Sequence, residues 1–97
     1  MSTYISLMKY TDEGMRNVKE APQRVANAQK LLETMGCKLI GMYSVMGEYD
    51  YVAIAEAPND EVAMTYLLAL GSFGQVRTTT LKAFNMQEFA AAVGRLP

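Results

Sequence analysis

The chain has 97 residues, nine Lys and Arg against ten Asp and Glu, a formal net charge of −1 and no histidine. A chain of this length supports one domain around one core, removing between ~60 and ~70% of its unfolded surface from water. The near-neutral charge without a basic run excludes the electrostatic footprint of a nucleic-acid binder, and the missing imidazole removes the commonest metal ligand and near-neutral acid–base group.

Residues 3–10 alternate Ile5 and Leu7 against Ser6 and Met8 and are rich in aromatic and apolar side chains, which predicts a strand covered on both faces. Thr11 followed by Asp12 and Glu13 supplies a hydroxyl cap and acidic residues for the positive end of a helix. Met15, Val18, Val25, Ala28, Leu32 and Met35 recur at helical steps, but proline inside a helix costs ~3 kcal/mol, so Pro22 predicts a short first helix and a break near Glu20 and Ala21. The second piece is expected to stop at Gly36.

Lys38–Met46 and Tyr51–Ala57 read as the two strands of a hairpin, with Gly47-Glu48-Tyr49-Asp50 as its tight turn. Pro58-Asn59-Asp60 caps a third helix with the stripe Ala63, Tyr66, Leu67 and Leu70, ended by Gly71 and Gly74. Three consecutive threonines at 78–80 favour a strand over residues 75–84. Asn85 caps a last short helix that offers Phe89, Ala92, Val93 and Leu96 for docking.

The order predicts one α+β domain over residues 1–97: a ferredoxin-like βαββαβ fold with a four-stranded antiparallel sheet, helices on one face and an extra C-terminal helix. Both alternate sets of the strands carry apolar residues, Tyr4 and Met8 opposite Ile5 and Leu7, and Tyr43 and Val45 opposite Ile40 and Met42. A sheet face of several Tyr and Met is too large an apolar patch for a lone soluble domain, so a second copy is expected over it. No stretch approaches the about 20 apolar residues of a membrane span, and Met1–Ile5 enters a strand without a signal-peptide pattern. The expected location is the cytoplasm. The single Cys37 agrees with a reducing compartment and reads as a small buried filler rather than a nucleophile.

Four segments in order carry a resemblance: Lys9-Tyr10-Thr11-Asp12-Glu13-Gly14, Pro22-Gln23-Arg24, Gly47-Glu48-Tyr49-Asp50-Tyr51-Val52 and Val76-Arg77-Thr78-Thr79-Thr80. Together they resemble the GYD-domain family over essentially the whole chain, with Glu48 as an insertion if the family name is read as a literal tripeptide. The resemblance implies the dimeric α+β barrel version of the ferredoxin-like fold and carries over no catalytic residue. A weaker similarity is to the effector-binding domain of Lrp/AsnC regulators, without their DNA-binding helices.

Two clusters are candidate sites. In the split βαβ order Lys9 and Arg77 are expected side by side near the Thr11-capped helix. With Lys38 and the helix beginning at Asn59 added at the same sheet edge, the corner could hold an anion such as a carboxylate. The competing reading is that Glu13, Glu20 and Glu56 neutralise these cations in solvated pairs. At the opposite edge, Glu48, Tyr49 and Asp50 offer either a carboxylate pair with a raised pKa or a structural turn, with Gly47 supplying the permissive dihedral and Tyr49 at the dimer seam. Arg24 opposes the dipole of its own helix and calls for a compensating acid, Asp12 or Glu20, or for a ligand. Met8, Met42, Met46 and Met64 read as core filling, or as the lining of a cavity for an apolar ligand.

The reading is a small oligomeric binding module for a small anionic or amphipathic metabolite. The alternative is a cofactor-free enzyme on a dimeric α+β barrel acting on an aromatic or hydrophobic substrate through Tyr, Arg and Asp. A third is an assembly protein whose surfaces serve a partner. No metal or cofactor is expected, and the expected partners are a second copy and a small molecule, not nucleic acid or membrane.

Overall fold

Alternation along β1 (Ser2–Tyr10) turns Tyr4, Ser6 and Met8 to one side, where all three are buried, and leaves Ile5 and Leu7 half-buried on the other. The computed structural model describes residues 1–97. After β1 come α1 (Asp12–Arg16), a 3-10 turn (Val18–Glu20), α2 (Ala21–Thr34), β2 (Lys38–Ser44), β3 (Tyr51–Ala57), α3 (Asp60–Ser72), β4 (Val76–Ala83) and α4 (Met86–Gly94). The sheet is antiparallel throughout with spatial order β2-β3-β1-β4, the arrangement of the split βαβ unit.

The caps act as their residue types dictate. Thr11 accepts from the Gly14 N–H, Asn59 from the Val62 N–H, and Asn85 with Glu88 forms a reciprocal capping box. Pro22 lies in the first turn of α2, where its missing N–H has no intrahelical partner to lose. Val25, Ala28 and Leu32 turn toward the sheet, whereas Met15 and Val18 are exposed, because the 3-10 turn rotates the chain between the two helical pieces.

The hairpin differs from its expectation. β2 ends at Ser44 rather than Met46, and residues 45–50 form a six-residue connection with Met46 fully in solvent. Ile40 is an extra residue in β2, a bulge between the Leu39–Ala55 and Gly41–Ile54 pairs. Gly47 has φ +116°, a conformation that side chains with a Cβ avoid.

Register also redistributes the two sheet faces. Pairing of Tyr4 with Ala55, Ser6 with Ala53 and Met8 with Tyr51 puts the β1 Tyr and Met residues under the helices. The open face instead carries Ile5, Leu7, Val52, Ile54 and Leu81, with exposed Tyr43 on β2. Its chemistry is branched aliphatic rather than Tyr and Met.

Helix α4 does not dock on its own chain. Residues 84–97 are all exposed, including Phe84, Met86, Phe89, Val93 and Leu96, because β4 is an edge strand and the chain runs on past the end of the sheet. The radius of gyration is 14.9 Å, against about 12.5 Å for an ordinary domain of this length.

Candidate functional site

Beyond Tyr51 at its start, β3 turns Ala53, Ala55 and Ala57 toward the helices, where they face Ala21, Ala28 and Ala63 from α2 and α3. Small side chains on both layers leave a gap that no large residue fills. The result is a cavity of about 520 Å³ between sheet and helices, within the range of small-molecule sites. Of its 28 lining residues 21 are hydrophobic, Leu32, Leu39 and Leu70 among them, with Met8 and Met42 the only methionines. Met46 and Met64 lie outside it.

Polar groups gather at the end where β1 finishes. The Tyr10 and Tyr51 hydroxyls are 2.6 Å apart, and their rings meet edge to face at 5.3 Å. They are diagonal neighbours on the ladder, since Tyr51 pairs with Met8. Arg24 lines the same cavity and donates to the carbonyls of Asn17 at 2.9 Å and Gly14 at 3.5 Å. Neither Asp12 nor Glu20 pairs with it; carbonyls at the C-terminal end of the short helix α1 meet the cation instead. Gln75 also lines this end, and its buried Oε1 has no donor.

The predicted three-cation corner does not assemble. Lys9 and Arg77 are register partners, as expected, but they lie on the open face, whereas Arg24 faces the cavity. Lys38 pairs with Glu56, and Glu56 with Thr3, so Lys38 sits at the far end of the sheet beside the start of α3. The cause is the parallel course of β1 and β2 on either side of β3: the start of β2 lies level with the start of β1, not with its end. Thr11 is committed to structure, accepting from the Gly14 N–H and donating to the Gly74 carbonyl at 2.6 Å.

The turn residues, placed at the opposite edge by the sequence reading, share the Lys9 end. β3 begins where β1 finishes, so Glu48 Oε1 comes within 3.7 Å of Lys9 Nζ, which also lies 5.3 Å from the Tyr49 ring centre. The counter-charge of Lys9 is thus Glu48, in an exposed pair contributing ~0 to 1 kcal/mol. Asp50 extends the β3–β1 ladder: its N–H donates to the Met8 carbonyl and its carboxylate accepts the Tyr10 N–H, each at 2.8 Å. Gly47 turns the chain, and these bonds give Asp50 a structural role.

With this geometry in view, comparison with known proteins identifies the relatives. The sequence model of the GYD domain matches residues 4–93. The chain belongs to the GYD family. A Thermus thermophilus protein called "Glutamine synthetase and cystathionine beta-lyase binding protein" is 33% identical over 92 residues, covering 94% of this chain and 97% of that one. The MtbAldR crystal structure superposes with a TM-score of 0.66 at 10% identity, over 87% of this chain and 52% of its own. The leucine response regulatory protein LrpA of Mycobacterium tuberculosis does so at 0.57 and 20%, over 87% and 51%. The GYD domain therefore spans about half the length of these two structures, and at such identities the likeness shows the fold.

Sequence reasoning missed the tyrosines of this GYD domain. Burial pushes Tyr10 up to about 12, helped by the Tyr51 hydroxyl, and burial pushes Tyr66 up to about 12 as well. Tyr66 donates to the Ala28 carbonyl at 2.8 Å and so ties α3 to α2. At neutral pH both phenols are hydrogen-bond donors, and burial likewise pushes the Cys37 thiol up, away from the nucleophilic thiolate. Tyr4 bonds Asp60 at the start of α3, and that bond with Lys82 at 3.0 Å holds the Asp60 carboxyl below its usual range. The period-two alternation placed Tyr10 with Tyr4, but only the β1–β3 register brings Tyr51 to it.

The raised phenols have a pH consequence. The folded chain retains these protons where the unfolded chain, with phenols near 10, has lost them. Their contribution is complete below pH ~10 and is lost as pH rises toward about 12. Urea unfolding midpoints are expected to hold from pH 7 to 9 and fall between pH 10 and 12, and Tyr66→Phe is expected to flatten that fall.

Proposed function

We propose that this GYD protein is a homodimeric binding module that takes a small amphipathic metabolite into the cavity between sheet and helices and presents itself to a protein partner. The observation that carries this reading is the cavity. With a volume of about 520 Å³ and mostly apolar walls, it falls within the range of small-molecule sites, and an occupant removes those walls from water. Apolar walls with hydroxyl, guanidinium and carboxamide groups at one end suit a molecule with an apolar body and a polar head.

The aliphatic open face supports a second copy, since two such faces packed together remove both from water. The name of the T. thermophilus relative supports partners among enzymes of nitrogen and sulfur amino-acid metabolism.

A thermal-shift screen against amino acids, organic acids, quinones and flavins tests the cavity. A ligand at 100 times its Kd is expected to stabilise by ~2.7 kcal/mol, and Ala55→Leu, which narrows the space at its middle, is expected to reduce the shift while the fold persists. A set with no shift, or shifts unchanged in Ala55→Leu, speaks against the reading. Co-purification with glutamine synthetase and cystathionine β-lyase tests the partner.

A further inference from the structure

Charge is distributed very unevenly around the cavity. Only two of the lining residues are charged, Arg24 and Glu56. Arg24 belongs with Tyr10: its charge draws the phenol pKa down against the upward push of burial. Glu56 is level with Thr3, seven residues back along β1, or about 23 Å at ~3.3 Å per residue. Alternation with Ala55 and Ala57 turns its carboxylate to the open face, so Arg24 is the charged side chain that serves the apolar space.

Arg24 has no carboxylate. The ion pairs of the chain are Lys9 with Glu48 and Lys82 with Asp60, and Arg24 donates only to two carbonyl oxygens. A guanidinium carries five N–H groups in a plane, so it retains donors for a ligand. Next to it stand the Tyr10 and Tyr51 hydroxyls and the Gln75 carboxamide. The Gln75 backbone lies against Gly14, the residue whose carbonyl Arg24 holds. The Gln75 Nε2 donates to the Phe73 carbonyl at 3.4 Å, while its buried Oε1 has no donor.

We infer that the ligand is a monocarboxylic acid with a long apolar tail, its carboxylate held by Arg24 with Tyr10 and its tail lying along Ala53, Ala55 and Leu32. This rests on the cavity reading above and specifies the class of occupant. A second acid group is disfavoured, because the rest of the space is lined by apolar side chains, where a carboxylate would be buried without a partner. A cationic head is disfavoured by Arg24.

Four probes with the same chain length separate the possibilities: decanoate, 1-decanol, decyltrimethylammonium and decanedioate, each below its micelle concentration and measured by calorimetry. Decanoate is expected to bind about 10- to 100-fold more tightly than decanol, the span of a charge-assisted hydrogen bond, and the cation and diacid more weakly than decanoate. Arg24→Gln is expected to bring decanoate to the level of decanol while decanol itself is unaffected, which also reports an intact cavity. If the variant does not fold, the Arg24 Nε–H resonance of the wild-type protein decides: a shift on adding decanoate supports the inference and an unmoved resonance overturns it. Equal binding of decanoate, decanol and the cation overturns the acid class and leaves the cavity reading standing. Failure of all four to bind overturns both.

Discussion

Gly14→Ala is expected to lower the melting temperature by ~4 to 24 °C, through the tightest clash that a Cβ would meet at any glycine of the chain. A Cβ at Gly14 would run into the backbone carbonyl of Gln75, which is not the movable end of a side chain. That carbonyl accepts the Thr11 N–H at 3.1 Å, and the neighbouring Gly74 carbonyl accepts the Thr11 hydroxyl, so the start of β4 cannot retreat without breaking the seam to α1. Overpacking of this kind costs ~1 to 3 kcal/mol, and in a domain of this size each kcal/mol moves the midpoint by ~4 to 8 °C. Gly71→Ala is the control. Its Cβ would meet open space inside α3, and a helical alanine is favoured over glycine by ~0.5 to 1 kcal/mol, so that variant is expected to melt a few degrees higher. Thermal unfolding followed by circular dichroism reads both; equal midpoints for the two variants would show that the α1–β4 contact is not tight.

Ile54→Lys is expected to weaken self-association by ~100-fold or more without unfolding the protomer. Ile54 lies at the centre of the open face, opposite Ile5 on β1 and Gly41 on β2, and is half-buried within the single chain. A lysine there reaches water in a monomer but is trapped without a partner when two faces close, at several kcal/mol per buried charge. Met46→Lys, in the solvent-exposed loop, should leave association unchanged. Light scattering over a dilution series reads the result. A wild-type mass of one chain at micromolar concentration would end the homodimer proposal, whereas a dimer indifferent to Ile54→Lys would move the interface to another surface, the exposed apolar side of α4 being the next candidate.

The fold was legible in the sequence because its signals are local. Alternation in β1, the Thr11, Asn59 and Asn85 caps, Pro22 at the head of α2 and the threonine run of β4 each depend on residues within a turn or two, and the structure realises each in place. The candidate site was legible only in fragments. Arg24 was recognisable as a cation in want of a partner, yet Tyr10, whose phenol its charge reaches, comes from 14 residues before it, and Tyr51, bonded to Tyr10, from 27 after it.

By itself, then, the sequence determined the order and type of the elements, the family, and which residues are apolar. Tertiary structure alone decided which end of the sheet each residue occupies and which face it serves. A one-strand change in direction separates Lys38 from Lys9 and joins Glu48 to it, and a one-residue change in register would exchange the Tyr4–Met8 face for the Ile5–Leu7 face. The same holds for the cavity: alanines at 21, 53, 55, 57 and 63 are ordinary one at a time, and they make a cavity only when antiparallel pairing and helix packing stack them against one another.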